Sequence, residues 1–404
     1  MRLLFIVDSI DGSHLSEPGT WLNDLTARWV ARGYRVDVLC RHTAPDEMPD
    51  DPEGVRVLRP TEEDFESALG EALDPPPDVV HIASRGPFGP RVVEIMQELP
   101  VLLDIHDYWP ICPNDDLLRR PRLHPCAEHF PFQGCGECAG LTRLRAMDER
   151  TELVRHARLV VAHSAYNRTR LNAGLGRSVE LLDYGVDTSR FSPEPEPPLS
   201  PDIALLLTTP DRPRVLFLGP PTHVRGVGAI IDLLVALRSR VPDVEIVVAG
   251  RDPQNPDGSS VLWVEAKELG IGDGLRTLPR VHSHDLPALY ASYLVAIAPL
   301  VGPEPGGLFV LQAMAAGLPV VASPSGAHSD LIRHGEEGLL LPVDDLGSFV
   351  GGTANLLLDK VGRPVFGQAA RLRAMEQHDS ERALAALEVL YERIRSGSQS
   401  SAAA

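Results

Sequence analysis

Long apolar runs and basic residues are both scarce in this chain of 404 residues. No apolar run reaches the roughly 18 residues that a membrane-spanning helix requires. The opening stretch MRLLFIV ends at Asp8, which makes it too short for the core of a signal peptide. The 38 basic residues are outnumbered by 56 acidic ones, which argues against nucleic-acid binding because phosphate contacts need a basic surface. We therefore expect a soluble, cytoplasmic protein without an integral membrane segment.

Cysteine is also scarce and is unevenly placed. Four of the five cysteines fall close together, at Cys112, Cys126, Cys135 and Cys138, whereas Cys40 lies in an apolar stretch and is expected in the core. Nothing in the sequence indicates secretion, so a disulfide framework is the less favoured use of the four. Their spacing, C-x13-C-x8-C-x2-C, ends in a pair typical of metal ligands.

Four thiolates on an irregular loop with little core suit a structural zinc ion that folds the loop. His124 and His129 are alternative ligands. Free or oxidised thiols and an iron–sulfur cluster are the other interpretations of the same four cysteines.

Short β-rich runs alternate with longer amphipathic stretches throughout the chain. In the first half this pattern predicts strands at 2–7, 35–40, 54–59, 78–83, 101–106 and 158–164, and helices at 20–32, 62–73, 89–98 and 143–156. In the second half it predicts strands at 214–219, 244–250, 274–279, 294–300, 319–324 and 338–343, and helices at 226–240, 260–269, 284–292, 308–316, 346–358 and 379–396. Apolar strands that alternate with helices are typical of a doubly wound parallel sheet.

A proline-dense segment, 192–214, separates the two halves and is expected to be a linker. We therefore predict an α/β fold with two Rossmann-like domains that face a central cleft, the first at 1–195 and the second at 214–378. The terminal small-residue stretch 397–404 is expected to be disordered.

One loop of the second half has the composition of an anion site. A strand is predicted to end near Leu300, a loop then carries Glu304, Gly306 and Gly307, and a helix is predicted to begin at Leu308. Ligands of doubly wound sheets bind at such places, where glycines let backbone N–H groups approach an anion. An ordinary glycine-rich turn between a strand and a helix is the alternative.

Residues 304–326 resemble the donor-binding signature of the retaining GT-B glycosyltransferases of family four, the group 1 type. Stretches that resemble the same family occur in the same order along the chain, at 17–39, 160–171, 184–193, 280–299 and 326–345, and the cysteine-rich insertion at 108–140 resembles one seen in a subset of it. The resemblance implies a GT-B fold in which the helix 379–396 crosses back to the first domain. It also implies transfer of a sugar from a nucleotide donor with retention of anomeric configuration and no catalytic metal.

The resemblance assigns roles on the donor side. Glu304 would contact hydroxyls of the donor sugar, and the amides of Gly306, Gly307 and Leu308 would receive the sugar and diphosphate. Gln312 stands where the family has a ribose-binding glutamate. Further donor-binding positions are Gly19, in the loop after the first strand, Arg280 and Val281.

The diphosphate loop departs from the family pattern. In GPPTHVRG (219–226), Arg225 occupies the place of the family lysine and Pro220 that of the family arginine. Because cations stabilise the departing diphosphate, Arg251, Arg280 or His223 would have to supply the missing charge. A purely structural interpretation makes Arg225 the cap of a surface turn.

On the acceptor side, His106 matches the family histidine that approaches the donor sugar, although a histidine at a strand end is often only structural. His106, Glu304 and Arg225 are the predicted catalytic residues, and no enzyme nucleophile is named. The loop after His106 carries Arg119, Arg120 and Arg122, which could receive an acidic acceptor or form a solvated face.

The expected donor is a UDP-sugar, with a GDP-sugar next, and the acceptor is a small molecule, a glycan or a lipid-linked compound. Two other functions fit the same residues. The Pro220 and Gln312 departures motivate a binding or scaffold protein on the same fold, and a nucleotide-sugar epimerase is the third candidate.

Overall fold

The computed structural model describes residues 1–8, 17–41, 52–84, 89–131, 133–207, 212–219, 221–249, 261–278 and 281–397. Three residues discussed for the diphosphate, Pro220, Arg251 and Arg280, lie outside this part of the chain. The predicted disordered tail also falls almost entirely outside it, at 398–404.

The first half of the chain forms a parallel sheet with helices on both faces. Its strands are β1 (Arg2–Val7), β2 (Arg35–Cys40), β3 (Arg56–Leu58), β4 (Val79–Ala83), β5 (Val101–Ile105), β6 (Leu118–Arg119), β7 (His124–Pro125), β8 (Leu159–Ala162) and β9 (Glu180–Leu181). Its helices are α1 (Glu17–Ala31), α2 (Phe65–Ala72), α3 (Gly89–Glu98), α4 (Cys135–Ala139), α5 (Leu141–His156) and α6 (Ala165–Leu175). The sheet order is β3-β2-β1-β4-β5-β8-β9, and β6 and β7 form a separate antiparallel pair.

The second half repeats this architecture. Its strands are β10 (Arg214–Phe217), β11 (Glu245–Ala249), β12 (Leu275–Leu278), β13 (Val295–Ala298), β14 (Val320–Ala322) and β15 (Gly338–Leu340), in the order β12-β11-β10-β13-β14-β15. Its helices are α7 (Pro201–Leu206), α8 (Ile230–Arg238), α9 (Val261–Glu268), α10 (Leu286–Ala291), α11 (Leu308–Ala315), α12 (His328–Leu331), α13 (Leu346–Leu358), α14 (Gly362–Gln377) and α15 (Ser380–Arg395). Short 3-10 helices occupy Val227–Ala229 and Gly272–Gly274.

The predicted strands and helices are present with small shifts at their ends, and the α/β class with two parallel sheets is confirmed. The apolar pattern missed α6 because that helix buries only Asn167 and Leu171. It missed α14 because only three small residues of that helix are buried. The proline-dense segment 192–214 contains α7, whose Ile203 is buried in the core.

The last helix, α15, lies against the first sheet although it follows the second one. Its buried Tyr391 reaches His81 of β4, with 2.7 Å between the hydroxyl and Nδ1. Just before α15, Asp379 pairs with Val186 of the first domain as a parallel bridge. In the described part of the chain, no helix combines the length and apolarity needed to cross a membrane.

Candidate active site

Two histidines and a tyrosine form a stack of rings beyond the carboxyl ends of β5 and β8. His106 follows β5 and His163 follows β8, and their ring centroids lie 4.4 Å apart. The ring of Tyr184 stacks on His163 at 4.0 Å, and its hydroxyl lies 2.5 Å from Nδ1 of His106. Trp21 of α1 meets the stack edge-on, 5.7 Å from the centroid of His106. Because parallel strands end at one edge of the sheet, residues distant in sequence meet at this point.

Asp104 of β5 is buried beside this stack. Its Oδ1 accepts a hydrogen bond from His163 Nε2 at 2.6 Å, and its Oδ2 accepts one from His81 Nε2 at 2.9 Å. Nε2 of His106 lies 3.2 Å from Oδ2 but is not aligned for a hydrogen bond. Burial opposes ionisation of this carboxyl, but His106 and His163 hold its pKa well below the ordinary value. The result is a buried carboxylate that faces three imidazoles.

The same surroundings fix the charge of His106. Burial lowers the pKa of His106 to about 4, although Asp104 acts in the opposite direction. The imidazole is therefore neutral at pH 7. Because ionised Asp104 favours the proton on Nε2, Nδ1 is left to accept a hydrogen bond from the Tyr184 hydroxyl.

Glu304 lies in the loop between β13 and α11 and is buried. Its Oε2 lies 3.1 Å from Nη1 of Arg225, and its Oε1 accepts from the backbone N–H of Gly307 at 3.3 Å. The backbone of Glu304 bridges to Gly326, where a Cβ would lie 2.2 Å from the Glu304 carbonyl oxygen. Gly326 thus permits the close approach that holds this loop.

The loop reaches α11 through two glycines. Gly307 has φ of +79° and precedes the first residue of the helix, Leu308. The N–H groups of the first helical turn have no acceptor within the helix and form an anion-binding end. Gly306 lies against the first domain, because a Cβ there would be 2.1 Å from Cε2 of Tyr184. The Ser164 hydroxyl also donates to the Pro305 carbonyl at 2.6 Å.

Arg225 belongs to this site. Besides its ion pair with Glu304, its guanidinium lies over the ring of Phe309 of α11, 5.0 Å from the centroid. A side chain at Gly219 would crowd the same arginine, since a Cβ there would lie 3.0 Å from Cδ. The guanidinium is therefore directed to the glycine-rich loop, which favours a place in the candidate site over the cap of a surface turn.

The other predicted donor-binding residues are Gln312, Val281, Arg280 and Gly19. Gln312 is buried in α11, and its Oε1 accepts from the Tyr290 hydroxyl at 3.0 Å. Val281 is fully buried, and Arg280 lies outside the described residues. Gly19 was expected in a loop, but it lies in the first turn of α1, which begins at Glu17. A proline such as Pro18 is compatible with the first turn of a helix, so the helix starts earlier than predicted.

The four clustered cysteines line one cavity of the insertion 108–140, and none of the five cysteines forms a disulfide. Burial raises the pKa of the Cys112 thiol. Among the described residues, the only three potential metal ligands mutually within 4.8 Å are Asp104, His106 and His163. No three of the described cysteine sulfurs meet that distance.

Sequence reasoning missed the residues that support His106. His163 and Tyr184 lie inside stretches that resemble the family and Asp104 lies two residues before His106, yet the resemblance gives none of them a role. The available signal was two polar residues, His81 and Asp104, within otherwise apolar strands. A buried polar side chain needs a partner, which predicts such a network without identifying its members.

Two family models match the chain. Residues 17–182 match the glycosyl transferase 4-like domain, and residues 205–373 match the glycosyl transferases group 1 family. Together they cover more than four fifths of the sequence.

Two curated relatives are each similar over about half of the chain. The GDP-mannose-dependent alpha-(1-6)-phosphatidylinositol monomannoside mannosyltransferase of Mycobacterium tuberculosis is 28% identical over 52% of this chain and 54% of its own length. The D-inositol 3-phosphate glycosyltransferase of Salinispora tropica is 32% identical over 48% of this chain and 42% of its own length. The matched segment thus spans about half the length of these relatives.

Solved structures resemble the whole chain. The sucrose-phosphate synthase of Thermosynechococcus elongatus has a TM-score of 0.75 at 20% identity, covering 98% of this chain and all of that one. Anabaena HepE in complex with UDP-glucose has a TM-score of 0.72 at 18% identity, covering 97% of this chain and all of that one. These likenesses confirm the predicted GT-B fold. The first half of the chain thus matches the 4-like domain and the second half the group 1 family, which together support a group 1 glycosyltransferase of the GT-B fold.

Proposed function

We propose that this protein transfers a sugar from a nucleotide-sugar donor to an acceptor with retention of anomeric configuration. One observation carries the proposal: Tyr184 joins the predicted acceptor-side histidine to the predicted donor loop. Its hydroxyl is bound to His106, and its ring lies against Gly306. The predicted acceptor-side histidine and the predicted donor loop therefore both contact the side chain of Tyr184.

The donor half supports binding of a diphosphate. The first-turn N–H groups of α11 and the guanidinium of Arg225 would both favour negative charge on the departing diphosphate. In many enzymes such fixed charge contributes more to catalysis than any other effect, because it acts where charge develops. In this proposal Glu304, already paired with Arg225, contacts hydroxyls of the donor sugar when the donor binds.

The acceptor half supports sugar positioning by a neutral imidazole. A neutral His106, whose Nδ1 accepts from Tyr184, can offer its Nε2–H to a sugar hydroxyl. In this mechanism the acceptor attacks from the face on which the diphosphate leaves. For that reason we assign no nucleophile to the enzyme.

A UDP-sugar is the first donor candidate and a GDP-sugar the second. The name of the mycobacterial relative specifies GDP-mannose, and HepE was crystallised with UDP-glucose. The acceptor candidates are a small molecule, a glycan and a lipid-linked compound. The chemistry requires no metal in this scheme, so a zinc ion at the four cysteines would be structural. Cysteines without disulfides suit the cytoplasm, where we expect the protein to act.

A donor-binding protein with weakened catalysis is the second candidate. Gln312 supports it, because its Oε1 is engaged by Tyr290 and an amide is a weaker partner of ribose hydroxyls than a carboxylate. Pro220 supports it too, since this proline stands where the family has a second cationic residue.

Calorimetry with UDP, GDP, TDP and ADP and their sugar conjugates tests the donor site without knowledge of the acceptor. We expect one base to bind and Arg225→Ala to weaken it at least tenfold. The selected donor then serves in an acceptor screen, and NMR of the product reports the anomeric configuration. Binding without turnover would favour the second candidate, and an inverted product would contradict retention.

A further inference from the structure

We infer that Cys112, Cys126, Cys135 and Cys138 bind one zinc ion, which fixes the insertion 108–140 as a wall of the cleft. All four cysteines line a single cavity that is partly open to solvent. They come from three separate places in the insertion, and α4 contributes both Cys135 and Cys138. Positions three apart lie on the same face of a helix, so both thiols of that pair can reach one ion.

The second part of the insertion has little else to hold its shape, whereas Tyr108, Trp109 and Leu117 in its first part are buried. Among its described residues from 119 to 140, none is buried. Its regular structure is the two-residue strands β6 and β7 and the five-residue helix α4. All three described residues other than glycine with positive φ lie in it, at Asp115, Leu117 and Leu123. A segment that buries so little apolar surface needs a cross-link to keep one conformation, and a structural zinc ion provides it.

The surroundings of Cys138 suit a thiolate ligand. Its sulfur lies 3.3 Å from Nδ2 of Asn114 and 3.3 Å from the backbone nitrogen of Arg120, both of which donate. Donors of this kind orient metal-bound sulfur and stabilise its charge. No three of the described cysteine sulfurs lie mutually within 4.8 Å, so binding requires their side chains to turn toward the cavity.

The insertion connects His106 with the donor domain, a consequence that rests on the proposed function. Leu118 of β6 lies next to Gly302, where a Cβ would be 3.3 Å from Leu118 Cγ. Arg170 of α6 holds the other side of the insertion, with Nη2 donating to the Glu128 carbonyl at 2.9 Å. Zinc would therefore keep Leu118 beside the loop that carries Glu304.

Metal analysis of the full chain by plasma mass spectrometry tests the site. We expect one zinc per chain in the wild type and in Cys40→Ser, whose cysteine lies in β2 outside the insertion. Cys135→Ser and Cys138→Ser should lose it. Cobalt in place of zinc should give the intense near-ultraviolet charge-transfer bands of a thiolate site. Zinc kept in both serine variants, or zinc lost from His129→Ala, would overturn the four-cysteine site.

The wild type alone also decides the question if the serine variants fail to fold. Titration with a mercurial should release one zinc as the thiols of the insertion react, detected with a chromogenic chelator. Wild type without zinc after expression in zinc-supplemented medium, or with iron and absorption near 400 nm, would overturn the inference. Donor calorimetry on the same samples separates the two proposals, since zinc without donor binding contradicts only the proposed function.

Discussion

The hydroxyl of Tyr184 lies 2.5 Å from Nδ1 of His106. Tyr184 follows the first sheet and His106 follows β5, so the contact joins two segments of the first domain. The same tyrosine ring lies against Gly306 of the second domain. The orientation of His106 is therefore coupled to the position of the donor loop through one side chain.

Removing only that hydroxyl should slow turnover without weakening the donor. In Tyr184→Phe the ring still stacks on His163, but Nδ1 of His106 loses its donor, which costs about 1–3 kcal/mol for a buried group. We expect kcat to fall about tenfold and the donor Kd from calorimetry to change less than twofold. Tyr293→Phe is the control, because that buried hydroxyl has no hydrogen-bond partner among the described residues. Full turnover in Tyr184→Phe would show that the hydroxyl does not position His106.

A methyl group at position 306 should separate the donor loop from Tyr184. The Cβ of Gly306→Ala would lie 2.1 Å from Cε2 of the ring, so the loop or the tyrosine must move. We expect kcat/KM to fall more than tenfold and the melting temperature to drop by several degrees. Gly70→Ala is the control, since a Cβ there meets nothing within 4 Å and favours the helix. Equal activity in the two variants would mean that the contact is dispensable.

Arg225 should contribute separately to stability and to donor binding. In Arg225→Ala the buried Glu304 loses its ion-pair partner, so both the melting temperature and the affinity for the nucleoside diphosphate should fall. Adding Glu304→Gln removes the buried charge that Arg225 had compensated and should restore stability, whereas binding of the diphosphate stays at least tenfold weaker.

The control for Arg225 is Arg276→Ala. Arg276 also pairs with a buried carboxylate, Glu245, but that carboxylate keeps Arg214 as a partner at 2.9 Å. Neither Arg276 nor Glu245 belongs to the candidate site, so the affinity for the nucleoside diphosphate should not change in Arg276→Ala. If Arg225→Ala binds as tightly as Arg276→Ala, the guanidinium does not contact the diphosphate.

Much of the fold was predictable because its strands are apolar runs with helices between them. Strands such as β1 and β2 are buried along nearly their whole length, which leaves a strong signal in the sequence. Helix α14 left almost none, because its buried residues are Gly367, Ala370 and Ala374. Small residues pack closely without producing an apolar stripe, so the periodicity fails there.

The candidate site was predictable only where a glycine or a charge marks it. Glu304 and Arg225 were candidates from the resemblance, but the sequence does not reveal that they form an ion pair. The partners of His106 depend on which strands are neighbours, and strand order is not encoded locally. Asp104 and His163 become partners only because β5 lies beside β8 in the sheet.

Replacing Gln312 by the acidic residue of the family should strengthen nucleotide binding. A carboxylate can accept from Tyr290 and from ribose hydroxyls with charge-assisted bonds, which are worth more than neutral ones by about 1 kcal/mol or more. We expect Gln312→Glu to bind the nucleoside diphosphate about tenfold more tightly. A 2′-deoxyribose analogue should lose most of that gain. Unchanged or weaker binding would exclude a ribose contact at this position.

Stability should fall as the pH drops from about 6.5 toward 4. Burial lowers the pKa of His106 to about 4, and burial together with Arg373 and Arg382 does the same for His378. An unfolded histidine titrates near 6.5. Between these values the unfolded chain binds protons that the folded chain excludes, so protonation favours unfolding. Each histidine adds up to about 1.4 kcal/mol per pH unit to the slope of the free energy of unfolding.

Urea unfolding at pH 7, 6 and 5 measures this slope. His378 is the better position for a variant, because both of its ring nitrogens lack hydrogen-bond partners among the described residues and it does not touch the candidate site. His378→Gln should reduce the slope of the free energy of unfolding between pH 6 and 5 by the equivalent of about one bound proton. Gln377→Ala, at the neighbouring position, should leave the slope unchanged. A slope in His378→Gln equal to that of the wild type would mean that this imidazole is protonated in the folded chain. Burial would then not lower its pKa.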